Sequence, residues 1–486
     1  MPSLSHDPAA TLGTTVRRLL TVAVALAALA VTVTPLSPTE ASATTALPGL
    51  ATAAPNGAYV PLAPLRMMDT RDGTGLSRVG KIGPGGVVTT MLGGTGRLPA
   101  ASEVSAVVLN LSTVHPTAGT FLTVYPADVM RPPTSSINIG SLDSLTNLVT
   151  VPLHADGRVS IFNAVGSIDA IIDVVGYYAA TDAGAQSAGM QYGGFTGVEP
   201  YRKLDTRTTS PATPFGDYYW YKLVFNFTDQ AFNNSITAAV VNISAVSATR
   251  SGFFTAWDGD SGPDNPPATS SVNFRRGENK SNLAIVKVGH DNPDGLPQIM
   301  VLARVPAGTV HGIVDVVGLM TTPGSTPDGA QDARFVPFMN SSRLIDTRRA
   351  ELGGPAFGPG ETRALSGAPV VTPTTAGIAG NLTLVSPTRA SYLTTWPSDL
   401  IRPTVSSVNA NAGGIVANGA IIGLGLPPRP GTDAFFAFNA AGSANVVFDA
   451  AGTFELATAP LAAAAHRAPP LVDAGASTGV ARPARP

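Results

Sequence analysis

The chain has 486 residues, a formal net charge of −2 and no cysteine. A near-neutral balance lacks the basic surface that nucleic-acid or anionic-membrane binding requires. The missing cysteine excludes disulfides, thiolate nucleophiles and cysteine metal sites. Charged residues make up only 13% of the chain, whereas there are 51 glycines and 42 prolines, a composition that favours short strands and tight turns over helical bundles.

The N-terminus has the pattern of an export signal. Arg17 and Arg18 precede an apolar run over residues 19–33, and a small-x-small pattern follows at residues 41–43. The run is shorter than the about 20 apolar residues of a membrane-spanning helix. We therefore predict a signal peptide at 1–43, a secreted, extracellular protein and no membrane contact after cleavage. An uncleaved anchor is the alternative.

Three sets of landmarks then recur in the same order, at a period of roughly 140 residues, which is too long for a solenoid repeat. Each set opens with Asp-Thr-Arg, continues with Ser-Ser-x-Asn and a second asparagine nine residues later, and closes with an aspartate three residues before a glycine. The opening aspartates are Asp69, Asp205 and Asp346, the two asparagines are Asn138/Asn147, Asn273/Asn282 and Asn409/Asn418, and the closing aspartates are Asp173, Asp315 and Asp449.

This order predicts one domain used three times. Stretches rich in glycine, alanine, proline and small polar residues separate the copies and suit solvated connectors. The predicted organisation is a signal peptide at 1–43, a linker at 44–57, repeat one at 58–178, a linker at 179–197, repeat two at 198–320, a linker at 321–334, repeat three at 335–455 and a disordered tail at 456–486.

Within a repeat the apolar pattern is that of strands. A β-branched run at 105–114 corresponds to 237–246 and 378–385, and the next run at 121–126 corresponds to 253–257 and 392–397. Further runs in repeat one lie at 136–139, 148–153, 159–163 and 168–178, and the last is almost wholly apolar, as expected of a strand in the middle of its sheet. The prediction is an all-β protein of three tandem β-sandwich or jelly-roll-like domains.

These segments resemble a known family. Residues 64–71, 121–126 and 173–178 look like the "LLDTR…GFLTVYP…SxLN…DVVGYF" module of secreted actinobacterial proteins, which occurs alone or beside secreted peptidases and glycoside hydrolases. The resemblance covers about three-quarters of the chain. It implies a non-catalytic accessory module of unknown ligand, with no active residues to carry over. Repeat two departs from the pattern at Trp257-Asp258, where the other repeats have Tyr125-Pro126 and Trp396-Pro397.

No reactive group recurs in a catalytic or metal-binding pattern. Repeat three contains no histidine, so a shared Ser-His-Asp site or histidine metal site is excluded. We therefore expect no enzyme, no metal and no cofactor. The shared carboxylates are the opening and closing aspartates and Asp128, Asp260 and Asp399. They leave a glycoside hydrolase as a third hypothesis.

The candidate binding residues are Tyr125, Trp257 and Trp396, which occupy one slot beside a polar turn. An aromatic face next to polar groups suits a sugar, and this predicts binding of a cell-wall or extracellular polysaccharide. The alternatives are that the three rings belong to the core and that the protein is a structural or adhesive surface spacer without a small ligand. The sequence names no ligand.

The arginines of the Asp-Thr-Arg motif are expected to clamp each module. The first and last strands of a sandwich often lie together, and an arginine there can bind a carboxylate in a bidentate manner. We predict that Arg71, Arg207 and Arg348 each pair with an acid of their own repeat, either Asp69, Asp205 and Asp346 or the closing Asp173, Asp315 and Asp449. The competing hypothesis is that these arginines reach outward to an anionic polymer.

Overall fold

A computed structural model of the chain describes residues 56–141, 144–186, 191–209, 211–323, 332–368, 370–425, 433–457, 468–472 and 476–480. The predicted signal peptide lies outside these residues. Their regular secondary structure is almost entirely antiparallel strand, so the all-β prediction is confirmed. Among them, no helix is long and apolar enough to cross a bilayer.

Each repeat contributes eight strands. Those of repeat one are β1 (Tyr59–Asp69), β2 (Val87–Met91), β3 (Val104–Val114), β4 (Thr120–Pro126), β5 (Ile137–Ile139), β6 (Leu145–Pro152), β7 (Arg158–Asn163) and β8 (Asp169–Ala179). Those of repeat two are β9 (Gly194–Asp205), β10 (Tyr219–Val224), β11 (Ile236–Val246), β12 (Gly252–Trp257), β13 (Val272–Phe274), β14 (Lys280–Lys287), β15 (Gln298–Arg304) and β16 (His311–Thr321).

The strands of repeat three are β17 (Arg334–Asp346), β18 (Thr362–Ser366), β19 (Thr375–Val385), β20 (Ser391–Pro397), β21 (Val408–Ala410), β22 (Ile415–Gly423), β23 (Asp433–Asn439) and β24 (Asn445–Glu455). A last strand, β25 (Ala476–Val480), follows. Two short helices, α1 (Asp182–Gln186) and α2 (Gln230–Ser235), and two 3₁₀ turns, Ala101–Glu103 and Ala350–Leu352, complete the described elements.

The strands of each repeat form two facing sheets with the connectivity of a jelly roll. In repeat one the sheet orders are β1-β8-β3-β6 and β2-β7-β4-β5, and repeats two and three reproduce both orders. The closing strands β8, β16 and β24 lie between two neighbours, which explains their apolar sequence. A separate buried core lies between the two sheets of each repeat.

The three repeats also share a core with one another. Tyr59, Phe195 and Phe335, the aromatic residues near the start of each repeat, belong to one buried cluster with residues of all three closing strands. The described residues all belong to one compact unit. Three separately folding domains therefore stay a prediction, whereas the three-fold repetition of the jelly roll is present.

One predicted linker and the predicted C-terminal tail are partly structured. Strand β9 begins at Gly194, inside the predicted linker 179–197, because its first residues pair with the end of β16. The predicted disordered tail contains β25, which pairs with the edge strand β10 and extends that sheet to five strands. The tail prediction was wrong for these residues because an edge strand offers free backbone groups that a segment of small residues can satisfy.

Candidate functional site

The arginine of each Asp-Thr-Arg motif binds the aspartate two residues before it. The Arg71 Nη2 atom lies 2.6 Å from Asp69 Oδ2, and its Nε atom also donates to this carboxylate. The same bidentate pairs join Arg207 to Asp205 and Arg348 to Asp346. The threonine of the motif binds the closing strand: Thr70 Oγ1 accepts from the Ala170 N–H at 3.1 Å. The side chains of the motif therefore bind within their own turn and to the adjoining closing strand.

The closing aspartate pairs with a different arginine, which the sequence analysis overlooked. Asp173 accepts from Arg66 Nε at 2.9 Å and from Arg66 Nη2 at 3.2 Å. Arg202 binds Asp315 and Arg343 binds Asp449 in the same way. The signal was present in the sequence, since this arginine stands three residues before the motif aspartate in every repeat. Of the two alternative partners predicted for the motif arginine, it therefore binds the motif aspartate and not the closing aspartate.

Together these residues form a chain of alternating charges across the first and last strands. Arg66 lies 3.5 Å from Asp69 as well as being bonded to Asp173. Burial tends to raise the pKa of Asp69, but hydrogen bonds from Arg71 and the charges of both arginines outweigh it, so this pKa lies below its ordinary value. The pKa of Asp173 lies above its ordinary value because burial of the carboxylate outweighs the effect of Arg66. The arrangement joins the first and last strands of the repeat, and both carboxylates, Asp69 and Asp173, have an arginine partner.

The three aromatic side chains proposed for sugar binding are buried. Tyr125, Trp257 and Trp396 are 9%, 3% and 3% exposed. The indole N–H of Trp396 donates to the Leu400 carbonyl at 3.1 Å, whereas that of Trp257 has no partner among the described residues. The three rings lie outside the cores between the sheets, but their burial means that they do not form an exposed platform for a stacked polysaccharide.

The recurring asparagines join neighbouring repeats. The Asn282 side chain accepts from the Leu148 backbone N–H of repeat one at 3.0 Å, and it donates to Asn110 of the same repeat at 3.4 Å. It also donates to the Ser271 carbonyl of its own repeat at 2.7 Å. Because all these groups are buried, each bond satisfies an atom that would otherwise be desolvated without a partner.

The equivalent bonds at the other two junctions complete a closed cycle. Asn418 of repeat three binds Leu283 and Asn242 of repeat two in the same manner, and Asn147 of repeat one binds Gly419 and Asn381 of repeat three. We call Asn110, Asn147, Asn242, Asn282, Asn381 and Asn418 the asparagine ring. The Asn-x-Ser/Thr triplets at Asn110, Asn242 and Asn381 thus serve packing between repeats.

A cluster of large side chains joins the repeats at a second place. Tyr178 stacks on Phe335 of repeat three with ring centroids 4.1 Å apart, and Phe195 of repeat two lies 4.8 Å from Phe454. The glycine of each closing motif makes room for the cluster, since a Cβ atom on Gly176 would overlap the Tyr59 ring. We call Tyr59, Tyr178, Phe195, Met320, Phe335 and Phe454 the axial cluster.

Most of the shared acids are paired with a basic side chain. The opening and closing aspartates are held by arginines, Asp128 pairs with His154, and Asp260 lies 3.3 Å from Lys287. Within the described ranges, no three histidine, cysteine, aspartate or glutamate side chains are grouped to hold a metal ion. The opening and closing aspartates thus join the first and last strands of their own repeats.

Comparisons with known proteins give no family. No family model matches the chain, and no curated protein matches it. A solved structure described as "Life in the extremes: atomic structure of Sulfolobus Turreted Icosahedral Virus" aligns with 82% of this chain and 92% of its own at 10% identity, with a TM-score of 0.16. Another, "The Triple Jelly Roll Fold and Turret Assembly in an Archaeal Virus", aligns with 82% of this chain and 91% of its own at 9% identity, with a TM-score of 0.15. Scores this low do not establish a common fold.

Proposed function

We propose that the protein is a non-catalytic extracellular scaffold in which three jelly rolls act as one body. The asparagine ring is the observation that carries this proposal. Five of the six ring asparagines are buried where repeats meet, and Asn381 is half-buried there, so they do not face an open site. Residues repeated for a shared ligand would be expected to remain accessible to it.

The extracellular location in this proposal is based on the sequence alone. The predicted signal peptide directs the chain outside the cell, and the resemblance to a module of secreted proteins is consistent with an accessory structural role. A disulfide-free body exposed there needs stability from its core. The shared cluster and the asparagine ring add buried contacts that an isolated repeat of this size would lack.

Calorimetry combined with a turnover assay tests the scaffold. We expect residues 44–486 to unfold in one transition whose calorimetric and van't Hoff enthalpies agree. Replacing Asn147, Asn282 and Asn418 together with alanine should lower the transition temperature and divide the transition, since each substitution leaves buried backbone groups without partners. A matched Asn234→Ala variant, at an exposed position, should behave as the parent protein does.

The glycoside hydrolase hypothesis predicts a different outcome. It requires release of reducing ends from a polysaccharide and loss of that activity in Asp173→Asn. Turnover with this dependence, or three separate transitions in the parent protein, would contradict the scaffold.

A further inference from the structure

The three junctions between repeats contain equivalent clefts of very different size. At each junction a ring asparagine of one repeat donates to a serine carbonyl of the next: Asn110 to Ser270, Asn242 to Ser406 and Asn381 to Ser135. The cavity volume is about 230 Å³ between repeats one and two, about 30 Å³ between repeats two and three, and about 50 Å³ between repeats three and one. At this equivalent position, the cleft between repeats one and two is therefore the enlarged one. A separate cavity of about 220 Å³ lies elsewhere between repeats three and one.

The enlarged cleft coincides with the departure of repeat two from the repeat pattern. Asp258 stands where the other repeats have Pro126 and Pro397. Lys287 stands where the strand registers place Pro152 and Gly423. These two substitutions face each other, since Lys287 Nζ lies 2.7 Å from Asp258 Oδ2. Of the three repeats, only repeat two thus has a lysine–aspartate pair at this position.

The lining combines an apolar wall with this charged rim. Leu62, Pro64 and Val175 of repeat one and Trp257 and Ile285 of repeat two supply the wall. At the rim, Lys287 Nζ also lies 3.3 Å from Asp260 Oδ2, and Asp260 and the neighbouring Ser261 are exposed. The rim therefore places carboxylate acceptors and an ammonium donor side by side above a nonpolar surface.

The Lys287 ammonium at the rim is charged over the neutral pH range. Burial lowers the pKa of Lys287, but its hydrogen bond to Asp258 and the negative charges of Asp258 and Asp260 outweigh that effect. Its pKa lies above the ordinary value, and the ammonium stays protonated. The ammonium occupies the space between the two carboxylates, where a calcium ion would otherwise find its ligands.

We propose that the cleft between repeats one and two binds one sugar ring. Hydroxyl groups both donate and accept hydrogen bonds, so they match a rim that offers Asp258, Asp260 and Lys287 together. The C–H face of a pyranose would pack on the apolar wall. A cavity of about 150 Å³ accommodates benzene, so the larger volume here accommodates a substituted six-membered ring.

Two other ligand classes fit the cleft less well. A purely apolar ring would leave the charged rim desolvated and without a polar partner, which is costly. A cationic ring would meet Lys287, which already neutralises one of the two carboxylates. The sugar site rests on the packing of repeat one against repeat two, which the scaffold proposal also uses. The two proposals can still fail separately, because unfolding in three steps would not by itself remove this cleft from the native protein.

Saturation-transfer NMR and intrinsic tryptophan fluorescence provide the test. The probes are the methyl glycosides of glucose, galactose, mannose and N-acetylglucosamine, with toluene and benzylamine as the apolar and cationic comparisons. We expect at least one glycoside to bind the mature protein and to change the tryptophan emission, because Trp257 lines the cleft. Binding of toluene or benzylamine alone would overturn the sugar assignment, as would binding of no glycoside.

Matched variants locate the site. Asp260→Asn should weaken glycoside binding by about tenfold, since it replaces a charged acceptor, whereas Asp399→Asn, the same change at the equivalent position of repeat three, should not. Ala63→Phe, at an exposed rim position, should block binding, whereas Glu199→Phe, its counterpart at the next junction, should not. Equal effects within either pair would place the sugar elsewhere. Unchanged unfolding temperatures establish that the variants remain folded.

Discussion

At the level of single residues, the two arginines that bind Asp346 should differ in their contribution to stability. The Arg343 side chain is 28% exposed and holds Asp346 and Asp449, whereas the Arg348 side chain is 46% exposed and holds Asp346 alone. We expect Arg343→Ala to cost about 3–5 kcal/mol, because it leaves the buried Asp449 without its bidentate partner.

Arg348→Ala should cost only about 1 kcal/mol, since solvent screens this arginine and Arg343 remains beside Asp346. Urea unfolding at neutral pH measures both variants. If the two variants lost the same free energy of unfolding, the solvent exposure of an arginine would not determine how much its ion pair contributes to stability.

Asp346 should also make stability dependent on pH. The hydrogen bond from Arg348 outweighs burial and, with the charges of both arginines, holds the pKa of Asp346 below its ordinary value. Its contribution is present above the unfolded-state pKa, near pH 4, and is lost as the pH falls through the lower folded-state value. The stability difference between the parent and Asp346→Asn should therefore be largest at about pH 6 and shrink progressively below about pH 4.

Asp346 must be replaced alone in this measurement, because ionisation of Asp449 changes the stability in the opposite direction to ionisation of Asp346. Burial raises the pKa of Asp449, so its ionisation opposes folding above that value and protonation relieves the penalty. Urea midpoints across the pH series, with Asp291→Asn at an exposed position as control, give the result. A parent–variant difference that stayed constant with pH would contradict the assignment.

At the level of elements, the last strand should protect the edge of repeat two. Strand β25 pairs with β10 over five residues, and Ala468 and Leu471 pack on the core of the repeat. Deleting residues 468–486 should cost about 1–3 kcal/mol and expose an edge strand that promotes association. Deleting only 481–486 is the matched control, and urea unfolding with analytical ultracentrifugation measures both. Identical behaviour of the two truncations would show that β25 contributes nothing.

The elements that the sequence predicted correctly are those with local signals. The β-branched runs predicted β3, β11 and β19, and the apolar closing run predicted an interior position for β8. Strand β25 was missed because four of its five side chains are exposed; it pairs through its backbone and carries no alternating pattern. The asparagines were recognised as landmarks, but their partners lie in another repeat, and no local spacing reveals a contact over such sequence distances.

The candidate site shows the same limit at the scale of the whole molecule. The sequence identified Trp257-Asp258 as a departure from the repeat, but it did not show that Lys287 lies opposite or that a wall from repeat one encloses the space. The cleft beside Trp396 likewise includes residues of the neighbouring repeat two. Features that three repeats build together become visible only when all three are in place.

The whole molecule should stay assembled after its chain is cut. Tyr59 exchanges backbone hydrogen bonds with Gly193, and Phe195 does so with Ala333, so the segments that lead into successive repeats are joined to one another. The axial cluster and the asparagine ring add buried contacts at every junction. If limited proteolysis cleaves within 179–197 and 321–334, as the linker prediction expects, the three fragments should separate in denaturing electrophoresis yet elute together in gel filtration.

The intact and the cut protein should both give a radius of gyration of about 22 Å, the value for a compact body of about 430 residues. The Asn147, Asn282 and Asn418 triple alanine variant is the control, and its fragments should dissociate more readily. Fragments of the parent protein that elute separately without denaturant would show that the repeats are independent domains after all.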